Sequence, residues 1–158
     1  MFKRGFTLIE LLIVIAVISI LIGIAVPRFL GMRDEGYTGK AAAEVHALQA
    51  AVEAYKIHID AFPPAPASLG GAWQSALVAM RPQIIEKVLD DPFDTDTDNE
   101  YRFKTNGDYY VIWSEGADEE DDISDVCDDG KLKVAADKNV KEDIFVTNGS
   151  GETIVACP

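Results

Sequence analysis

The chain has 158 residues, a length that suits one domain or one domain with an appendage. It carries 27 acidic and 14 basic residues, for a formal net charge of -13. This charge argues against a general nucleic-acid-binding protein, because nothing would offset the repulsion of the phosphates.

An apolar segment near the amino terminus follows two basic residues, Lys3 and Arg4. It runs from Leu8 to Val26, and its strongly polar residues are Glu10 and Ser19. As a helix it would be about 30 Å long, which is enough to cross the hydrocarbon core of a bilayer. Because the basic residues precede it, the positive-inside rule places the amino terminus in the cytoplasm and the rest of the chain outside.

Three details distinguish this segment from a secretory signal peptide, which has a shorter apolar core and a small-residue cleavage site, and from a plain anchor helix. Glu10 places a charge at membrane depth, at a cost of roughly 2.5–3.5 kcal/mol, so we expect a partner for it. Gly5 and Phe6 lie directly between the basic residues and the apolar run. Gly23 and Pro27 weaken the helix, because the proline removes the backbone hydrogen bond to residue 23.

The amino-terminal segment resembles the class III signal of the type IV pilin family, which includes the pseudopilins of type II secretion, over KRGFTLIELLIVIAVISILIGIAVP. The resemblance implies that residues 1–5 are a leader, that a prepilin peptidase cuts after Gly5 and that it methylates Phe6. It also implies that Glu10 pairs with the terminal amine of a neighbouring subunit. The region from Gly23 to Pro27 corresponds to a part of the family's helix that can lose helicity in assembled filaments.

The helical pattern continues beyond this segment and becomes amphipathic. Apolar side chains recur at alternating spacings of four and three residues, on one face of a helix: Ala41, Val45, Leu48, Val52, Tyr55 and Ile59. Three prolines between residues 63 and 66 end the helix. We predict one helix over residues 6–58, with residues 6–26 in the membrane or the filament core.

The remaining residues, 59–158, predict a globular head. A short helical pattern lies between Trp73 and Leu89 and is interrupted at Pro82. Two hairpins are expected, one at Asn106-Gly107 and one that pairs the strands on either side of residues 148–151. The predicted fold class is α+β, in which the long helix packs on a small antiparallel β-sheet, as in type IV pilins.

Cys127 and Cys157 are the two cysteines of the chain, and both histidines lie far upstream, so a zinc site is not indicated. A disulfide is the simpler interpretation and implies an oxidising compartment, with two unpaired buried thiols as the alternative. It would close a loop of about thirty residues and stabilise the fold by roughly 3–4 kcal/mol in the chain-entropy model. Such a loop resembles that of many pilins, whereas many major pseudopilins lack it, so the cysteines favour a pilus subunit.

Two acidic clusters raise the question of a calcium site. Residues 94–98 begin like an EF-hand loop, but Asn99 and Thr105 stand where glycine and glutamate are needed, so an EF-hand is excluded. Residues 115–129 carry nine acids and no base, and their Gly-Ala-Asp start resembles the calcium loop of the major pseudopilin. A hydrated acidic loop is the alternative, since this loop is shorter and lacks the family's glycines. The resemblance assigns three calcium ligands, Asp118, Asp121 and Asp122.

Three functions fit these features, and none is enzymatic. The first is the structural subunit of an extracellular type IV pilus that serves adhesion, motility or uptake. The second is the major pseudopilin of a type II secretion system, which forms a periplasmic filament. The third is a tethered calcium-binding or adhesive module that never assembles, in which Glu10 would have no partner. For the first two, the expected partners are copies of the chain, the prepilin peptidase, assembly-platform proteins and the inner membrane before assembly; no specific nucleic acid is expected.

Overall fold

The computed structural model describes residues 7–64, 73–94, 99–118, 120–134, 140 and 143–157, with the backbone alone at residue 30. The chain divides into two compact units, one ending at Gly36 and the other beginning at Tyr37. The elements in chain order are helices α1 (Leu8–Ile59) and α2 (Trp73–Ala79) and strands β1 (Arg102–Thr105), β2 (Tyr110–Ser114), β3 (Ile123–Val126), β4 (Leu132–Val134), β5 (Ile144–Thr147) and β6 (Thr153–Ile154). The predicted α+β class, a long amino-terminal helix with small sheets, is confirmed.

The first unit consists of the apolar part of α1. The helix passes through Gly23 and Pro27 without interruption. Its large apolar side chains are exposed along the whole segment, from Leu8 at 81% to Phe29 at 69% of full exposure. By length and composition, α1 is able to cross a membrane.

The second unit is built on the amphipathic part of α1. The predicted apolar stripe is confirmed as far as Tyr55: Ala41, Val45, Leu48 and Val52 are fully buried, and the half-buried Tyr55 packs against the same core. The stripe ends earlier than predicted, because Ile59, in the last turn, is 50% exposed. Side chains from α2 and from the first sheet complete this core.

The first sheet has the order β1-β2-β5 and is antiparallel throughout. The hairpin predicted at Asn106-Gly107 is confirmed, and Gly107 has a φ of 100°, which favours glycine. Trp73 stacks on Phe103 with ring centroids 4.8 Å apart, and its indole donates to the carbonyl of Tyr101 at 2.9 Å. These contacts attach α2 to the sheet.

The second predicted hairpin is wrong. β5 pairs with β2, and β6 pairs in parallel with β4 in a second sheet of order β3-β4-β6. The turn between β5 and β6 instead packs against the turn at Gly130, whose carbonyl accepts a hydrogen bond from the amide of Ser150 at 3.0 Å. A Cβ on Gly149 would lie 2.2 Å from that carbonyl oxygen, so only glycine permits this approach.

In the head, α2 is shorter than predicted, whereas the disulfide is formed as predicted. α2 ends at Ala79, so the helical pattern predicted to continue to Leu89 stops before Pro82, where the ring prevents helical continuation. The predicted disulfide is confirmed: Cys127 and Cys157 are bonded, with Cα atoms 5.4 Å apart. It ties the end of the chain to the turn between β3 and β4.

Candidate functional sites

The start of α1 holds Glu10 in a capping box. The Thr7 amide and hydroxyl both donate to Oε2 of Glu10, at 2.8 and 2.7 Å, and the Glu10 amide donates to the Thr7 hydroxyl at 3.3 Å. Glu10 therefore has a partner within its own chain, contrary to the expectation that it would have none without assembly. Thr7 supplies hydrogen bonds but no positive charge, and among the residues that the structure describes none forms an ion pair with Glu10.

The other predicted assembly residues are also placed on α1. A Cβ added at Gly23 would meet no side chain or distant backbone within 4 Å. Pro27 lies within the continuous helix. The predicted processing residues Gly5 and Phe6 lie outside the described residues, as does the predicted leader.

Two buried tyrosines attach the first sheet to α1 within the second unit. The hydroxyl of Tyr101 donates to Glu44 at 2.6 Å, and that of Tyr110 donates to Glu53 at 2.7 Å. Burial raises the pKa of both tyrosines, and the hydrogen bonds to the glutamates raise it further. The sequence analysis missed these contacts because both glutamates lie beside the apolar stripe, where solvent exposure is the usual outcome.

Arg102 is the centre of a buried ionic network at the edge of β1. Its guanidinium contacts Asp94 at 3.3 Å and Asp121 at 3.4 Å and also pairs with Glu115. The side chains of Arg102, Asp94 and Glu115 are 7%, 1% and 11% exposed. Burial raises the pKa of Glu115, although its hydrogen bond with the guanidinium opposes this. One cation thus faces three carboxylates.

Asp91 is a further buried acid in the same region. One of its oxygens accepts hydrogen bonds from the Phe93 amide at 3.0 Å and the Ser114 hydroxyl at 2.8 Å. Its other oxygen is buried without a hydrogen bond from any residue that the structure describes. Burial therefore raises the pKa of Asp91 despite the hydrogen bonds it accepts.

The three predicted calcium ligands lie in different environments. Asp118 is exposed and Asp122 is buried, 3% exposed. Asp121 is already engaged, because it accepts the indole hydrogen of Trp113 at 2.8 Å as well as pairing with Arg102. In the part of the chain that the structure describes, no three acidic, histidine or cysteine side chains are gathered as a set of metal ligands.

A fourth acid, which the sequence analysis missed, lies next to this loop. Asp143 directly precedes β5, is 8% exposed, and neither of its oxygens accepts a hydrogen bond of normal geometry from the described residues. Its pKa is raised to about 8 by burial and then by the carboxylates of Asp122, Asp118 and Asp121. The Asp122 amide opposes this rise. A buried carboxylate without such a hydrogen bond is costly to the fold.

Comparison with known proteins identifies the family. Residues 1–26 match the prokaryotic N-terminal methylation motif, and residues 28–130 match the family described as type II secretion system (T2SS), protein G. The chain belongs to the protein G family. The matched region includes β1, β2 and β3 with the acidic loop, whereas β4, β5 and β6 lie in residues 131–158, after the end of the match.

Individual relatives agree with this assignment. The type II secretion system core protein G of Pectobacterium carotovorum subsp. carotovorum is 27% identical over 60% of this chain and 64% of its own length. That of Aeromonas hydrophila is 27% identical over 83% of this chain and 94% of its own. In two further relatives of this name, the match spans less than half of the relative. A fimbrial protein of Pseudomonas aeruginosa is 45% identical over 32% of this chain and 33% of its own. No solved structure matches the chain.

Proposed function

We propose that the chain is the major pseudopilin of a type II secretion system. A precursor anchored in the inner membrane would be processed by a prepilin peptidase and polymerise into a periplasmic filament. The protein G match over residues 28–130, directly after a methylation motif, carries this proposal. The exposed apolar half of α1 supports it, since packing against identical helices would keep that surface out of water once the subunit leaves the bilayer.

The comparisons favour this function over the extracellular pilus, which the sequence analysis placed first because of the cysteines. The fimbrial relative matches only 51 residues, whereas protein G relatives match up to 139. Cys157 lies outside the residues that match protein G, so the disulfide is no argument against membership of that family.

Assembly would use the charge of Glu10, which has no ion-pair partner among the described residues. After cleavage at Gly5, the amine of Phe6 on a neighbouring subunit could approach Glu10 and supply the positive charge that Thr7 lacks. We expect Glu10→Gln to keep the capping box but to reduce filament assembly strongly, because glutamine accepts the same hydrogen bonds without carrying a charge. Glu86→Gln, the same change at an exposed residue of the head, is a control that should leave assembly unchanged.

The proposal is tested by deleting the gene in its own bacterium and complementing it. A pseudopilin predicts that protein export fails on deletion and is restored by the wild type but not by Glu10→Gln. The processed protein, beginning at methylated Phe6 in mass spectrometry, would remain in the cell envelope. Long surface filaments of this protein in sheared fractions, with export intact after deletion, would refute the pseudopilin and establish a pilus subunit.

We further propose that the acidic loop of Asp118, Asp121 and Asp122 binds calcium. The support is chemical, because carboxylates and loop carbonyls are the oxygen ligands that calcium takes. The described carboxylates are not gathered as a ligand set, so calcium binding would require the loop to close around the ion. Isothermal titration of the full-length protein in detergent micelles tests this, with magnesium as the competing ion; a calcium affinity no better than that for magnesium would refute it.

A further inference from the structure

Pro27 deprives one backbone carbonyl of the apolar segment of its donor within the helix. In a regular α-helix the carbonyl of Gly23 would accept the amide hydrogen of residue 27, but proline has no such hydrogen. Gly23 is also open to approach, because a Cβ built there would meet no side chain or distant backbone within 4 Å. A carbonyl without a donor is costly in an apolar environment, so we expect a hydrogen bond from outside the helix.

Ser19 carries the only side-chain hydroxyl between Leu8 and Val26. Its Oγ donates to the carbonyl of Ile15 at 2.7 Å, and the residue is exposed on the helix. In a regular helix that carbonyl also accepts the amide hydrogen of Ser19. The hydroxyl can therefore turn to another acceptor without leaving the carbonyl of Ile15 unpaired, and serine hydroxyls do form hydrogen bonds between apolar helices.

The expected assembly contact sets the register of two parallel copies. When the amine of Phe6 pairs with Glu10 of a neighbour, each residue of the first helix faces the residue about four positions further along the second. Ser19 and Gly23 are separated by the same four positions. The register that brings the amine to the carboxylate therefore also brings the hydroxyl of one subunit to the carbonyl of the next.

We propose that, in the filament, Ser19 of one subunit donates a hydrogen bond to the backbone carbonyl of Gly23 in the neighbouring subunit. This inference rests on the proposed assembly as a pseudopilin. In the bilayer, Gly23 lies within one turn of Val26, the end of the apolar run, so headgroups and water are close to its carbonyl. In the filament core, identical apolar helices exclude water, and Ser19 replaces it. The contact adds a directional bond to a surface that is otherwise apolar and non-directional.

A double-mutant cycle tests whether the contribution of Ser19 depends on Pro27. Ser19→Ala removes the hydroxyl, and Ser19→Thr keeps it. Pro27→Ala restores an amide hydrogen, so the carbonyl of Gly23 regains a donor within its own helix. Each full-length variant is produced at the same level in the deletion strain, and assembly is measured as the fraction of processed protein that sediments as filaments.

We expect Ser19→Ala to lower the ratio of assembled to free subunit about three-fold, the usual effect of one hydrogen bond between apolar helices. Ser19→Thr should assemble like wild type, and Ser19→Ala should have no further effect in the Pro27→Ala background. If Ser19 acts only through packing or through its bond to Ile15, its loss will have the same effect in both backgrounds. That result would overturn the inference.

Cysteine cross-linking tests the register without relying on the alanine variants. Two copies are produced together, one tagged and carrying Ser19→Cys and the other carrying Gly23→Cys, and the envelope is oxidised. The matched control replaces Gly23→Cys with Leu21→Cys, on a different face of the helix. Cys127 and Cys157 are already bonded to each other within the chain. We expect a cross-linked dimer with Gly23→Cys alone; equal cross-linking of both pairs would refute the contact.

The outcomes separate this contact from the proposed function. If wild type does not assemble and Glu10→Gln behaves like it, both proposals fall. If wild type assembles in a manner that requires Glu10, but Ser19→Ala assembles equally well, only the Ser19 contact is refuted. Should Pro27→Ala itself not assemble, the cross-linking result decides between the contact and its absence.

Discussion

Replacing Arg102 with methionine tests whether the buried ionic network holds the head together. Methionine fills a similar volume along the stem but carries no charge. Asp94 and Glu115, whose side chains are 1% and 11% exposed, would then lose their cation. Asp121 would keep its hydrogen bond from Trp113.

The expected cost follows from this burial. Removing one partner from a buried ion pair costs about 3–5 kcal/mol, because the remaining charge is left uncompensated. A domain of this kind has about 5–15 kcal/mol of total stability, so the variant should lose a large fraction of it. Arg102→Lys, the control, keeps the charge but lacks the planar fork that contacts several carboxylates at once, so its loss should be smaller.

The assay is equilibrium urea unfolding of the full-length protein in detergent micelles, followed by tryptophan fluorescence. Both tryptophans of the chain, Trp73 and Trp113, are buried in the second unit and therefore report on the head. Adding Asp94→Asn and Glu115→Gln to the Arg102→Met variant should recover much of the lost free energy, since the uncompensated charges are removed. If Arg102→Met unfolds within about 0.5 kcal/mol of wild type, the reasoning about uncompensated buried charge is refuted.

Three further predictions concern the head. Replacing Cys127 and Cys157 with serine should lower the free energy of unfolding by roughly 3–4 kcal/mol, given their separation of 30 residues. A reductant should then have no effect on the unfolding midpoint of the variant, and a persistent effect would contradict the prediction. Tyr110→Phe should lower the free energy of unfolding by about 1.5–3 kcal/mol, because it removes the hydrogen bond to Glu53. A double-mutant cycle with Glu53→Gln should show a coupling energy of that order, and additive effects of the two changes would refute the prediction. The pKa of Asp91 is higher in the folded state than its ordinary value of 3.8. Its contribution to the free energy of unfolding is therefore fully present below pH 3.8 and is lost as the pH rises through the folded-state pKa. Asp91→Asn should therefore lessen the fall in stability above pH 3.8, and an unchanged pH profile would show that Asp91 is not its source.

Local patterns determined the helical part of the protein. These patterns involve residues only a few positions apart, so they can be recognised in the sequence: the apolar run, the position of Glu10 and the four-and-three spacing of the stripe. The capping threonine was equally local, and Thr7 three residues before Glu10 is a recognisable capping pair that the sequence analysis did not use.

Strand pairing was predicted where it was local and missed where it was not. Asn106-Gly107 marks a hairpin because the turn alone brings its strands together. β5 pairs with β2 and not with β6, the strand that follows it in the chain, and β6 pairs with β4 in parallel. Those choices depend on which apolar faces complete the core and on the close approach of Gly149 to Gly130, neither of which a short window of sequence contains.

The sequence by itself determined a membrane-compatible helix, a family signal, an amphipathic stripe and a pair of cysteines able to bond. Only the tertiary structure decided which charges meet. Arg102 contacts acids that lie 8, 13 and 19 residues away in the chain, and Asp143 lies beside the acidic loop through a strand pairing some thirty residues distant. Electrostatic interactions depend on separation in space and on burial, and both are set by the packing of the whole head rather than by adjacency in the chain.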